Sequence, residues 1–345
     1  ADGENEHEAV QQFFKDCDVA YENGYESVWL TEHHFSNYHP VPDPFTMLSH
    51  VAARCPGLGL GTGVLVTPWH QPLRLAGQIA ALSNITDAPI YIGMGRGNAP
   101  LEYEAFGVDQ NYAREQFSEI WQILKLAMKG APFTFRGDQY DIQREVSIHP
   151  KPRMDNVLFY GAVGQPSSAG LIGEQGLGLM TNPAQPDVLR QIIQNWSDAA
   201  QGKIDTVGTP RVIAPWVVVA DTNEEAERLA VRYLGEQMKA AGAHYAMEKK
   251  KKIRGFEYMS EDSYQDKFRH DDDVIRMYLK GCLVGDADSV AHQWKALVDI
   301  GFNHILVNVS LPGAPRALRR DWLRRVVADV LPRMEGNATL RTNAA

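Results

Sequence analysis

The chain has 345 residues, 44% of them hydrophobic and 22% charged, which is the make-up of an ordinary globular protein and not of a disordered one. Its formal net charge of −9 excludes the basic face that a nucleic-acid surface requires. Cys17, Cys55 and Cys282 are an odd, widely spaced set, so neither a disulfide framework nor a zinc ribbon is expected, and a reducing, cytoplasmic compartment fits best. No apolar run approaches the length of a membrane span, and the first five residues do not read as a signal peptide.

Along the chain, helical and strand patterns alternate. Glu6 to Asn23 has helical periodicity and stops at Gly24; Ser27 to Leu30 reads as a strand, Pro44 to Arg54 as a helix and Leu58 to Val66 as a strand. Pro72 opens a helix to Asn84, and Ile90 to Gly95 is the next strand. A long helix covers Tyr112 to Lys129, after which Phe133 to Tyr140 reads as a small hairpin or excursion. Leu158 to Val163, Leu177 to Met180, Val212 to Ala220 and His304 to Val309 are four more strands. Helices at Ser168 to Gln175, Asp187 to Ala200, Asn223 to Met238 and Asp288 to Gly301 separate or follow them.

Repeated βα units with no composition break favour one closed (β/α)8 TIM barrel over residues 1–345, enlarged by insertions beyond the roughly 250 residues usual for that architecture. Seven barrel strands are visible and the first element is a helix, so the first strand is expected upstream of Ala1. A doubly wound open sheet is the structural alternative. The largest insertion, residues 243–273, carries Lys249 to Lys252 and an acidic end at Asp271 to Asp273; it reads either as a lid over the barrel mouth or as a solvated surface.

Chemistry concentrates where the Ser27 to Leu30 strand ends, in Thr31-Glu32-His33-His34-Phe35. Ends of parallel strands are where α/β folds place reactive groups. Zinc sites on helices want two histidines a turn apart. Adjacent residues on extended backbone point to opposite sides, so one imidazole is expected to face the mouth while the other props the wall, with no metal bound. A single proton-handling histidine suits chemistry near neutral pH.

Two further features suit an anion. Gly93-Met94-Gly95-Arg96-Gly97 lacks the grammar of a dinucleotide turn; its alternating glycines let something flat approach the backbone, and Arg96 offers a cation. Gly164, Gln165, Ser167 and Ser168 follow a strand and open a helix, where free N–H groups and the helix dipole converge. With Arg114 at the start of the long helix, these residues make a cradle for one phosphomonoester; a plain helix cap and tight glycine packing are the structural alternatives.

Taken together, Trp29 to Phe35, Gly93 to Gly97, Phe106-Gly107-Val108-Asp109 with Arg114, and Arg254-Gly255-Phe256 resemble the luciferase-like flavin monooxygenases across nearly the whole chain. The resemblance implies a (β/α)8 barrel holding reduced FMN, which reacts with O2 to form a flavin C4a-peroxide. It implies His33 as the catalytic histidine, Arg96, Arg114, Gln165 and Ser168 at phosphate-binding positions, a non-prolyl cis peptide at Gly63-Val64 beneath the flavin ring, and a mobile lid in the long insertion. Glu32 is expected to orient His33 or balance its charge, and Phe35 with Trp69 to wall the substrate side. Thr86 to Pro89 departs from the family's usual turn, Gln71 stands beside His70 where a histidine is usual, and Gly95 occupies the luciferase cysteine position, so light emission is not implied.

The activity expected from this resemblance is that of a two-component, FMNH2-dependent monooxygenase. A separate NAD(P)H:flavin reductase would feed it, and a small, largely apolar organic compound would be oxygenated. The same barrel serves deazaflavin (F420) hydride-transfer oxidoreductases and non-catalytic flavin-binding subunits, which are the alternatives. Helices Pro44 to Arg54 and Pro72 to Asn84 resemble those through which the family forms dimers, and no nucleic-acid or membrane partner is expected.

Overall fold

A computed structural model of the chain describes residues 5–245, 253–254, 272–334 and 342–344. Most of the expected lid segment, residues 246–252 and 255–271, lies outside the described residues. The remainder is a mixed α/β protein with parallel sheet, divided into two compact units: Ala1–Trp29, Phe159–Ala240 and Lys267–Ala345 form one, Leu30–Leu158 and Ala241–Asp266 the other.

In the first unit the strands β1 (Ser27–Leu30), β6 (Val157–Val163), β7 (Gly178–Thr181), β8 (Arg211–Ile213), β11 (His304–Val307) and β12 (Thr342–Ala344) pair in parallel, in the order β1-β12-β11-β8-β7-β6. The runs SVWL, GLMT and HILV are buried at every position, as expected of strands covered on both faces. The sheet position beside β1 is taken by β12, which pairs with β1 on one side and β11 on the other.

The expected single strand over Val212 to Ala220 is two strands. Pro215, which has no N–H to donate, interrupts it after β8, and β9 (Val217–Val219) turns to pair in parallel with β10 (Leu283–Gly285), a strand the sequence pattern did not reveal. A helix not expected from the sequence, Arg316–Arg325, buries Trp322 and is tied to the helix Glu6–Glu22 by Arg320 Nε to Asp16 Oδ1 at 2.5 Å.

The second unit holds the parallel pair β2 (Gly59–Val66) and β3 (Ile90–Gly95) with the helices Pro44–Arg54, Pro72–Ile85, Pro100–Phe106 and Ala113–Met128. Proline opens three of these four helices, where its missing N–H costs nothing. The expected excursion is an antiparallel hairpin, β4 (Phe133–Arg136) and β5 (Asp141–Val146), whose turn is held by N–H groups of Asp138, Gln139 and Tyr140 donating to the Glu119 carboxylate. Among the described residues no helix is long and apolar enough to cross a membrane.

The helices Pro166–Glu174 and Pro186–Ala200 of the first unit touch through Gly173, where a Cβ would lie 2.5 Å from the Trp196 carbonyl oxygen. Trp196 is fully buried and donates its indole N–H to the Leu177 carbonyl at 2.9 Å, which ties its helix to the start of β7. Gly173→Val is expected to lower unfolding stability by about 1–3 kcal/mol, read from urea denaturation followed by circular dichroism. An unchanged midpoint would show that the contact is not tight.

Candidate active site

Beyond Leu30 the chain stays extended, and His33 N–H donates to the Val41 carbonyl at 3.3 Å as an isolated bridge. Extended backbone sends successive side chains to opposite sides. Glu32 and His34 therefore fall on one side and His33 on the other.

On the first side Glu32, 3% exposed, is a buried hub. It accepts the Val66 N–H at 2.8 Å, and its oxygens lie 3.0 Å from Nε2 of both His34 and His70. Burial pushes its pKa up, but the His34 and His70 contacts and the Val66 N–H outweigh that and hold the carboxyl below its ordinary value. Around His34 stands an aromatic group. Phe106 and Trp69 approach its ring at 4.8 and 5.6 Å, Phe35 packs on Phe106 at 5.1 Å, and Trp69 stacks on Phe106 at 5.5 Å. Glu32, His34, Trp69, His70, Arg74 and Phe106 border a cavity of about 370 Å³.

On the second side a different carboxylate faces His33. Glu102, 1% exposed in the first turn of the helix Pro100–Phe106, accepts the His34 N–H at 2.6 Å and lies 3.6 Å from His33 Nδ1 through the same oxygen. Its other oxygen lies 3.5 Å from Nε2 of His244, whose Nδ1 is 2.7 Å from the Ser36 hydroxyl. Tyr38 stacks on His244 at 4.9 Å, and both rings meet His33 edge-on at 4.9 and 4.8 Å. Burial raises the Glu102 pKa, yet the two imidazoles and the backbone N–H bring it down to about 2. For His33 burial dominates and lowers the pKa below 6.5, with Glu102 pulling the other way. Imidazole, carboxylate and imidazole in such proximity are also the donor set of a divalent metal site; among the described residues this is the one such group.

Of the two roles expected for Glu32, the geometry does not show orientation of His33: the alternation of the extended chain turns Glu32 toward His34 and His70, and Glu102 supplies the carboxylate beside His33, while the Glu32 charge still acts on His33 through its field. Phe35 and Trp69 flank His34. Pattern reading missed Glu102 because it missed its seven-residue helix. His244 had a usable signal. It continues the buried stripe Ala230, Leu234, Gln237, Ala241 along the helix Asn223–Tyr245, where an ionisable side chain is out of place.

The remaining singled-out residues keep to their own units. Gly63 and Val64 sit in β2 at a register shift between Thr62 and Leu65, and the peptide bond joining them is cis. At the end of β3 the Gly93 and Gly95 carbonyls accept the hydroxyls of Thr62 and Thr67 at 3.0 and 3.3 Å. Arg96 follows, half-buried, its carbonyl accepting the Tyr103 hydroxyl. Arg114 is exposed in the first turn of Ala113–Met128, near Arg254, which pairs with Glu115 at 2.9 Å. In the other unit Gly164 and Gln165 follow β6, and Ser167 and Ser168 lie in the first turn of Pro166–Glu174, a helix start with no side-chain cap.

Residues 6–304 match the family described as Luciferase-like monooxygenase, and the chain belongs to that family of oxidoreductases. It is 22% identical over its full length, and over 95% of the relative's, to the oxygenase component of a flavin-dependent trigonelline monooxygenase from Acinetobacter baylyi. Among solved structures it is similar to the oxygenating constituent of 3,6-diketocamphane monooxygenase from Pseudomonas putida in complex with FMN. That match has TM-score 0.73 and 20% identity, and covers 96% of this chain and 95% of the other. An F420-dependent secondary alcohol dehydrogenase is as similar in fold, with TM-score 0.75 and 19% identity over 93% and 95% of the two chains.

The ionised state of Glu102 has a measurable consequence. Held at about 2 in the folded chain against 4.5 unfolded, it contributes stability that is complete above pH 4.5 and lost as pH falls toward 2. Glu102→Gln is expected to lower the thermal midpoint at neutral pH and to flatten its decline through that acid window, followed by circular dichroism. Equal acid slopes in the two proteins would refute the paired, charged state.

Proposed function

We propose that the chain is the oxygenase of a two-component, FMNH2-dependent monooxygenase, a closed (β/α)8 barrel in one domain that oxygenates a small, largely apolar organic compound. The observation that carries this reading is His33. It is a mostly buried imidazole following a parallel strand, its pKa lowered by burial, with an ionised carboxylate 3.6 Å away, which suits it to take a proton. Membership of the family and the flavin-dependent relatives support the cofactor.

Taken unit by unit, the chemistry of the residues assigned on the family resemblance suits FMN. Arg96 and Arg114 supply guanidinium groups, and Gly164, Gln165, Ser167 and Ser168 supply N–H groups and hydroxyls at an uncapped helix start, the chemistry a phosphomonoester requires. Gly63 and Val64 are assigned to the ring-binding floor on the family resemblance. Bound in its reduced form, FMN supplies the electrons that activate O2. His33 handles the proton at Nε2, while Glu32 fixes the loops on either side through Val66 and His70. Phe35 and Trp69, with Phe106, offer an aromatic surface for an apolar substrate.

The trigonelline relative is named as an oxygenase component, which supports a separate flavin reductase as partner here. Dimer formation through Pro44–Arg54 and Pro72–Ile85, in the cytoplasm, completes the proposal.

His33→Ala is expected to bind FMN within about twofold of the parent while losing at least about 10²-fold in oxygenated product, measured with a flavin reductase and ¹⁸O2. Turnover by the parent with reduced F420 and not with FMNH2 would favour hydride transfer instead. With FMNH2, the acid limb of kcat/KM should fall below pH 6.5, because that is where burial keeps His33 unprotonated. A limb above that value would assign the proton-handling role to another group.

A further inference from the structure

We propose that His33, Glu102 and His244 form a binding site for one divalent cation of the zinc class, and that filling it takes His33 out of proton transfer. The three residues belong to the second unit, and their donor atoms lie within 4.8 Å of one another. The two buried acids differ in how they are met. Glu32 lies 3.0 Å from Nε2 of both its histidines, so hydrogen bonds satisfy that group. Glu102 instead stands 3.6 Å from His33 Nδ1 and 3.5 Å from His244 Nε2, too far for hydrogen bonds. Among the described residues neither nitrogen has a hydrogen-bond partner, although both are buried and face the carboxylate, and the His244 side chain is only 1% exposed.

A shared cation accounts for that spacing. Donors held about 2.0–2.1 Å from a tetrahedral zinc lie about 3.4 Å from each other, close to the 3.5 and 3.6 Å between Glu102 and the two imidazoles. Two imidazole nitrogens with one carboxylate select the zinc class over Mg2+ and Ca2+, which take oxygen ligands. Outer partners are in place as well: His244 Nδ1 is 2.7 Å from the Ser36 hydroxyl, and Glu102 Oε1 accepts the His34 N–H at 2.6 Å, contacts of the kind that orient metal ligands. Tyr38 stacks on His244 at 4.9 Å and meets His33 edge-on at the same distance. The adjacent His33 and His34 do not chelate together, because their side chains diverge; the second imidazole comes from the distant helix Asn223–Tyr245. Coordination through Nε2 leaves the His244 ring hydrogen on Nδ1, donating to Ser36, and coordination through Nδ1 leaves the His33 ring hydrogen on Nε2. Each ring keeps its one hydrogen and no electron moves. The consequence for activity rests on His33 as the proton-handling group: with Nε2 already carrying a hydrogen, it has no lone pair for a proton, so the cation and oxygenation exclude each other.

The test uses the full chain without flavin, first stripped with a chelator. One equivalent of Zn2+ is expected to stay with the parent through gel filtration, and Co2+ to give visible d–d absorption that saturates at one equivalent, with no competition from Mg2+ or Ca2+. Glu102→Gln and His244→Leu, compared where circular dichroism matches the parent, should each weaken Zn2+ binding at least about 10²-fold, while His292→Ala, at an exposed histidine, should leave it unchanged. If those variants do not fold, the parent carries the test: in long-range ¹H–¹⁵N spectra of chain labelled in its histidines, Zn2+ should move His33 Nδ1 and His244 Nε2 and leave His292 in place. No retained Zn2+, shifts at exposed histidines only, or equal affinity in all the variants would overturn the site. With photoreduced FMN, product lost on adding Zn2+ and regained with chelator supports the exclusion, and undiminished product from the loaded chain overturns it. A parent that makes no product with photoreduced FMN yet holds one zinc on the two imidazoles would remove the proposed oxygenase and leave the metal site standing.

Discussion

Two carboxylates buried at 3% and 1% exposure cannot stay charged without partners, and the way the chain leaves β1 supplies them. Extended backbone at Glu32, His33 and His34 sends alternate side chains to two sides, so each acid is met by imidazoles and by a backbone N–H. Glu32 closes a structural hub that ties the strand end to the loop after β2. Glu102 meets the single imidazole left on the other side. Removing one partner from either hub would leave a buried charge uncompensated, which costs more than the pair gains when intact.

That division puts the two histidines in different settings. His34, His70, Trp69 and Phe106 are packed around Glu32, whereas His33 stands on the other side with Glu102 3.6 Å from its Nδ1. The rings beside His33 are those of Tyr38, His244 and Tyr245, while Phe35, Trp69 and Phe106 belong to the group around His34. Phe35 is 57% exposed with φ near +60°, an uncommon conformation for a phenylalanine.

Much of this was legible in the residues. Proline openings and hydrophobic periodicity located β1 to β3, the helices Pro44–Arg54 and Pro72–Ile85, and the long helix to within a few residues. The Glu-His-His triplet stands out in the sequence because a polar cluster after a buried strand is unusual, and the structure brings its three side chains into the two buried hydrogen-bonded and charged groups. Less legible was anything set by distance along the chain. Glu102 is 69 positions from His33 on a helix of one or two turns, too short to show a period, and His244 lies still farther away. The break at Pro215 was readable, but which strand Val217–Val219 would pair with was not, since a parallel partner can come from any later unit.

The sequence by itself determined the alternation of strands and helices, the placing of Glu32, His33 and His34 at a strand end, and membership of the luciferase-like monooxygenases, because these depend on local periodicity and on motifs of adjacent residues. Only the tertiary structure decided which carboxylate serves which histidine. Local geometry fixes the side to which a residue points, while its partner is whatever the rest of the fold brings there: Val66 and His70 for Glu32, Glu102 and His244 for His33. Burial of those groups, and with it their protonation at neutral pH, exists only once the chain has closed around them.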